Sequence, residues 1–333
     1  MRPVSKPDQH TRIVLMALSS ALANSDSNNL QVIEALSTQL ETVLLGKEPQ
    51  IKLAICCLLA GGHLLVEDRP GVGKTTLAHA LGQSLGAQWN RVQFTNDLLP
   101  ADITGVSVFD QRDNTFEFKP GPVFTSVLLA DEINRAPPRA QSALLEAMEE
   151  RQVTVDGQTY ELDPQFFVIA TQNPADRAGA YPLPESQLDR FLISIELGYP
   201  DSETEKSLLR RTQAARAETL LEPVCSTEDL AIWQQEVQSL HVSDAMADYT
   251  YALLQATRDR EKQQNDCRGL SPRAGINLIN LSRAHAYLQA RAMVLPDDVQ
   301  SVFIAAAAHR LKGSVGKGTP IAKEILEQVP LNY

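Results

Sequence analysis

Between positions 68 and 76 the chain reads Asp68-Arg69-Pro70-Gly71-Val72-Gly73-Lys74-Thr75-Thr76, the pattern of a loop that surrounds phosphate. Glycines at 71 and 73 let the main chain curve so that its amides face phosphate oxygens, and the helical stretch Leu77 to Leu85 adds the positive end of its dipole. Gly71, Val72, Gly73, Lys74, Thr75 and Thr76 are therefore the expected nucleotide-binding stretch, with Lys74 reaching the terminal phosphates and Thr75 ligating Mg2+. Asp68 stands where the GxxxxGK[ST] pattern has its first glycine. Downstream, the apolar run Val127-Leu128-Leu129-Ala130 delivers two acids in succession. Asp131 is the expected second carboxylate for Mg2+, and Glu132 can orient and polarise an attacking water. Having both acids favours a hydrolase over a small-molecule kinase.

Three further polar residues have chemistry of their own. Asn173, in Thr171-Gln172-Asn173-Pro174, can align that water or touch the terminal phosphate; as an Asn-Pro pair it can equally begin a turn. Arg190, in Gln187-Leu188-Asp189-Arg190-Phe191, reads as an arginine finger aimed at a neighbouring subunit's nucleotide, or as a cation satisfying a helix C-terminus. Arg273 follows Ser271 and Pro272, a cap and a first helical residue, so it puts a cation where the dipole prefers an anion. Such a local violation marks a functional position more often than a solvated arginine.

The elements that must position these residues follow from periodicity. Five short runs read as strands: His63 to Val66, Arg91 to Phe94, Val127 to Ala130, Phe166 to Ala170 and Phe191 to Leu197. Helical patterns lie between several of them, including Pro138 to Met148, so the expectation is an α/β fold with a mostly parallel sheet covered on both sides. In such sheets ligands bind at the carboxyl edge, where the phosphate loop and the acid pair would meet. Two hairpins interrupt the scheme, one around Gln111 to Asn114 and one around Asp156-Gly157. Leu30 to Leu59 reads as two helices joined by Leu45-Gly46-Lys47-Glu48-Pro49. From Asp201 strand signals vanish, and helices with caps expected at Thr227, Ser243, Ser271 and Pro296-Asp297 take over. The expected organisation is a polar arm over 1–27, a nucleotide-binding domain over 28–200 and a helical domain over 201–333.

Composition narrows the partners. With 30 Lys and Arg against 41 Asp and Glu, a net charge of −11 argues against sequence-independent nucleic-acid binding. The four cysteines, with Cys56 and Cys57 adjacent in an apolar run, have no zinc-ligand spacing and read as reduced, mostly buried thiols. No run approaches the roughly 18 apolar residues needed to span a bilayer. Arg2, Lys6 and Arg12 before Ile13 to Leu18, with Ala21-Leu22-Ala23, imitate a short secretory signal. That apolar core is short, and the nucleotide chemistry expected downstream favours a cytoplasmic location instead.

Taken together these residues resemble the AAA+ ATPase superfamily and, within it, the MoxR family. The resemblance is carried by Leu64-Leu65-Val66-Glu67-Asp68, by Gln93-Phe94-Thr95 with Asp97-Leu98-Leu99-Pro100-Ala101-Asp102-Ile103-Thr104-Gly105, and by Phe118-Lys119-Pro120-Gly121-Pro122-Val123-Phe124. Ala130-Asp131-Glu132-Ile133-Asn134-Arg135-Ala136, Ala170 to Pro174, Tyr181 to Phe191 and Ser271-Pro272-Arg273 complete it, so that it spans about Leu30 to Leu311. It departs at Asn96, where the family commonly has proline, and at Asp176-Arg177-Ala178-Gly179-Ala180. The resemblance implies a P-loop AAA+ domain with a parallel five-stranded sheet and hairpin insertions, an all-α lid, and a ring, usually a hexamer. It implies Asn173 as first sensor, Arg190 as arginine finger, Arg273 as the lid's sensor arginine, and Gly46 near the adenine. It further implies ATP and Mg2+ as cofactors, and chaperone-like remodelling of client proteins, often with a partner carrying a von Willebrand A domain. Thr95 is a candidate restraint on Glu132. A magnesium-chelatase-like motor subunit, a nucleic-acid translocase and a nucleotide-gated scaffold are the competing readings.

Overall fold

The computed structural model describes residues 28–112, 114–173, 180–210, 221–311 and 318–331. The expected arm with its signal-like stretch, and most of the departure at 176–180, lie outside them.

Helix α1 (28–43) and α2 (Glu48–Leu59) form the expected pair around the Leu45-Gly46-Lys47 turn. Then come β1 (Leu64–Glu67), α3 (Lys74–Ser84), β2 (Trp89–Gln93), the short α4 (Pro100–Thr104), the hairpin β3 (Gly105–Asp110) and β4 (Thr115–Pro120), and β5 (Val127–Asp131). Helix α5 (Pro138–Glu150), the hairpin β6 (Gln152–Val155) and β7 (Gln158–Glu161), β8 (Phe167–Gln172), α6 (Glu185–Leu188) and β9 (Ile193–Ile195) follow. The second hairpin turns on Asp156 and Gly157, with φ of 51° and 79°, the left-handed pair that matches strand twist in a two-residue connection.

The sheet has the order β2-β5-β8-β1-β9, and every pairing in it is parallel. Both faces are covered, which is why its strands read as continuous apolar runs. Val127, Leu129, Phe167, Ile169, Leu64 and Val66 turn to one core, shared with α1 to α3 and the later helices. Leu128, Ala130, Val168, Ala170 and Leu65 turn to the other, beneath α5. The last strand is shorter than its pattern suggests. Leu192 N still donates to His63 O at 2.8 Å, but the Phe191 and Leu192 carbonyls are taken by side chains from a later helix, as described below.

The remainder is helical: α7 (Ser202–Arg210), α8 (Thr227–Ser239), α9 (Asp244–Gln264), α10 (Pro272–Leu288), α11 (Pro296–Leu311) and α12 (Gly318–Gln328). Ser243 and Ser271 cap as expected. At α8 the cap is Ser226 rather than Thr227, because Asp229 reaches back to the Ser226 amide while the Ser226 hydroxyl accepts from Asp229 N. Helices α8 and α10 pack on α2, and α11 packs on β9, so the lid shares one core with the sheet. All four cysteines are buried and unpaired.

Candidate functional site

Strands β5, β8 and β1 are neighbours, and at their carboxyl ends lies a polar cavity of about 520 Å3, walled in part by Gly71, Lys74, Thr75, Arg91, Asp131 and Glu132. That volume lies in the range of small-molecule sites, roughly 300–1,000 Å3. Gly71 and Gly73 have φ of +85° and +106°, conformations that residues with a Cβ rarely adopt. A methyl on Gly73 would also press on Leu44 Cδ2 at 3.1 Å. Gly73 caps α3, so the helix begins at Lys74 with its free amides toward the cavity. Thr75 and Thr76 line the same space. Curved backbone, helix start, ammonium, hydroxyls and carboxylates together suit a magnesium-bound triphosphate.

Asp68 does here what a glycine could not. Its Oδ2 accepts from Gly198 N at 2.6 Å and its Oδ1 from Arg69 N at 2.7 Å, while its carbonyl takes Lys74 Nζ at 2.7 Å. Burial pulls the Lys74 ammonium below its ordinary pKa, against the opposing pull of Asp131, Asp68 and Glu132. Lys47 donates to Gly198 O at 3.0 Å, tying the Leu45-Gly46-Lys47 turn to the phosphate loop through Gly198. Gly46 itself, with φ of 69°, abuts Asp201 and Thr204 and is not among the residues lining the cavity.

The acid pair is held by four side chains. Thr171 Oγ1 donates to Asp131 Oδ1 at 2.7 Å and accepts from Glu132 N at 2.8 Å, so β8 fixes the end of β5. Arg91 Nη2 lies 2.7 Å from Asp131 Oδ2, on the carboxylate expected to face the metal. Glu132 has a left-handed backbone with φ of 56°, a conformation whose cost of about 1–3 kcal/mol persists where surrounding structure enforces it. Its Oε2 accepts from Gln93 Nε2 at 2.9 Å and from Arg135 Nη1 at 2.7 Å. Gln93 rather than Thr95 is hydrogen-bonded to Glu132: Thr95 Oγ1 donates instead to Asp97 at 2.6 Å. Register explains the difference, since Gln93 pairs with Asp131 across the ladder and Thr95 lies beyond the end of β2. Asn173 is buried directly past the end of β8, on the same edge of the sheet.

Arg190 and Arg273 lie elsewhere. Arg190 Nη2 is 2.9 Å from one oxygen of Glu149, and Arg273 Nη1 is 2.9 Å from the other. Both line a second cavity of about 260 Å3 with Gly62, His63, Glu149 and Arg151. Gly62 and His63 precede β1, whereas the phosphate loop follows it. The two cavities thus sit at opposite ends of the sheet, roughly 15 Å apart along β1 by the rise of a strand. His63 is wedged behind Glu149: Nδ1 accepts from Val168 N at 3.1 Å, so the protonated Nε2 donates to Met148 O at 3.2 Å. Burial first and the Arg151 charge second push its pKa down to about 4, and the ring is neutral.

Sequence reasoning missed Arg91, Gln93 as a restraint, Thr171 and Glu149. The first three could be found by setting β2 and β8 beside β5 in register. Glu149 has no such signal among the neighbouring acids Glu146 and Glu150.

A family model described as ATPase family associated with various cellular activities (AAA) matches residues 63–193, and one for an AAA lid domain matches residues 264–329. Among relatives, YeaC of Bacillus subtilis is 46% identical over 269 residues, covering 81% of this chain and 83% of that protein. Chaperone MoxR1 of Mycobacterium tuberculosis is 37% identical over 309 residues, covering 91% and 81%. MoxR of Paracoccus denitrificans is 32% identical over 295 residues, covering 82% and 86%. The crystal structure of an ATPase from Cytophaga hutchinsonii superposes with a TM-score of 0.86 at 34% identity, covering 96% of this chain and all of that one.

Proposed function

The chain belongs to the MoxR family of AAA+ ATPases, and from that premise we propose that ATP is hydrolysed between two copies of it, the carboxyl edge of one sheet facing the amino edge of the next. One observation carries this reading: Arg190 and Arg273 converge on Glu149 at the end of β1 remote from their own phosphate loop.

Gly71, Val72, Gly73, Lys74, Thr75 and Thr76 hold the triphosphate, and Thr75 with Asp131 holds its Mg2+. Bound ATP and Mg2+ supply the transferable phosphoryl group and the cation that neutralises it. Lys74 exchanges the Asp68 carbonyl for a phosphate oxygen. Glu132, released from Gln93 and Arg135, would orient a water and draw its proton as the water attacks the terminal phosphorus and the bond from that phosphorus to the ADP oxygen breaks, with Asn173 helping to align it. Arg190 and Arg273 from the neighbouring copy stabilise charge on the transferred group. Gly46 borders the adenine, a role supported by the tie of its turn to the phosphate loop through Lys47.

Hydrolysis so divided drives chaperone-like work on client proteins, as the name of the mycobacterial relative suggests. We extend the reading to a six-membered ring, to a partner with a von Willebrand A domain, to a cytoplasmic location, and to a division into domains at 200/201. The last is supported by β9 ending at Ile195 and helices resuming at Ser202. Among the described residues no helix is long and apolar enough to cross a membrane. Titration calorimetry tests the base of the proposal. Wild type should bind ATP in a magnesium-dependent way and Lys74→Ala should bind at least tenfold more weakly; equal affinity in the two would overturn the phosphate site.

A further inference from the structure

Arg310, near the end of α11, is a buried charge that the hydrolytic scheme above does not use. Its side chain is only 5% exposed, yet it makes no contact with the nucleotide cavity. Instead it grips the segment that carries Arg190. Nε donates to Asp189 Oδ1 at 2.7 Å, Nη2 to Asp189 O at 3.1 Å and to Phe191 O at 2.7 Å, and Nη1 to Leu192 O at 3.1 Å and to Ala306 O within its own helix. The adjacent His309 adds a contact from Nε2 to Phe191 O at 3.1 Å. Segment 189–192 is irregular, so its carbonyls have no ladder or helix to satisfy them, and a planar fork with five donors is suited to collecting them.

The other oxygen of the Asp189 carboxylate points to the lid. Ser271 Oγ donates to Asp189 Oδ2 at 3.4 Å while accepting from Ala274 N at 3.1 Å as the cap of α10. Arg190 is the residue after Asp189, and Arg273 is in the first turn of the helix that Ser271 caps. One carboxylate therefore fixes the roots of both arginines, and their tips meet 2.9 Å from the two oxygens of Glu149. Roots and tips are each joined by an acid, and Arg310 anchors the root acid to the lid.

We propose that Asp189 and Arg310 are positioning residues that set Arg190 and Arg273 as one unit, so that a movement of the lid carries both arginines together toward or away from a neighbouring nucleotide. The inference rests on the intersubunit reading of the preceding section. Neither residue touches ATP; each acts through the arginines.

The test uses full-length Asp189→Asn, which removes the charge but keeps the shape, and Arg310→Lys, which keeps the charge but loses the fork. A displacement of about 1 Å at a reacting group lowers rates about 100-fold, so kcat for ATP should fall about 10- to 100-fold with KM within about twofold of wild type. Each variant is then mixed in equal amounts with Lys74→Ala, whose phosphate loop is disabled but whose arginines are intact, and Arg190→Ala mixed with Lys74→Ala serves as the reference. Recovery of turnover in the Asp189→Asn and Arg310→Lys mixtures supports the proposal, because intact phosphate loops then meet intact arginines. Recovery in the reference alone overturns it and leaves the intersubunit site standing; the residues would then be serving only the stability of their own subunit. No recovery in any mixture removes both. Arg310→Lys and Asp189→Asn fail in different ways as folded proteins, so a loss of solubility in one leaves the other to decide.

Discussion

The two ends of the five-stranded sheet carry complementary charge patterns and opposite kinds of order. At the carboxyl end, acids await a cation: Asp131 and Glu132 are held by Arg91, Gln93, Arg135 and Thr171, each at 2.7 to 2.9 Å. At the amino end, cations face an anion: the tips of Arg190 and Arg273 are both paired with Glu149. In both places the side chain in contact is a stand-in of the right charge. On the proposed reading, Arg91 holds the Asp131 carboxylate that Mg2+ would take, and Glu149 holds the arginines that phosphoryl oxygens would take. The Arg190, Arg273 and Glu149 side chains are about a quarter to a half exposed, and pairs of that kind contribute only about 0.2–1 kcal/mol, so an incoming phosphate exchanges them at little cost. On the proposed division, the site stays inactive until two copies meet.

The comparison breaks most visibly at the arginines. Arg190→Ala should lower kcat by about 10³-fold, the order seen for arginine fingers, while leaving ATP affinity nearly intact. A parallel loss of affinity by calorimetry would put Arg190 in its own subunit's pocket. Glu132→Gln, at the other end, should cost about 10²- to 10³-fold in turnover and keep ATP bound, which filter binding can check; undiminished turnover would reject its role.

A third test concerns the wedge behind Glu149. His63 has a folded pKa of about 4 against 6.5 when unfolded, so the neutral ring's contribution is complete above about pH 6.5 and is lost as pH falls toward 4. That difference corresponds to about 3 kcal/mol, and urea unfolding of His63→Gln should show a correspondingly flatter dependence between pH 6.5 and 4. Identical slopes for the variant and wild type would show that the ring does not govern acid sensitivity. The smallest effect is expected at Gln93. Removing its bond to Glu132 in Gln93→Ala should raise basal hydrolysis about two- to fivefold, the equivalent of a single modest hydrogen bond. A fall in steady-state hydrolysis would mean that Gln93 helps in the reaction instead of restraining it.

Much of this was legible in the residues. Strands buried on both faces announce themselves as apolar runs, so the five strands are legible in chain order, and a glycine loop between strand and helix marks the expected phosphate site. Periodicity is silent about which strands are neighbours, and that silence hid the restraints. Gln93 and Thr171 reach the acids only because β2 and β8 flank β5. Thr95, the restraint expected from the sequence, is turned toward Asp97. Arg310 was invisible because a cation in a last turn satisfies the helix dipole, and Glu149, an acid in the last turn of α5, breaks that rule but shares the breach with Glu150 beside it. Only tertiary packing converts them into partners of the two arginines.

The division of one active site between opposite sheet edges is tested most directly by mixing Arg190→Ala subunits with Lys74→Ala subunits and measuring ATP turnover against protein concentration. Each variant alone should be nearly inactive, and the mixture should recover a fraction of wild-type activity that rises as assembly proceeds. A mixture no more active than the sum of its two components, at concentrations where assembly is confirmed by light scattering, would contradict the divided site.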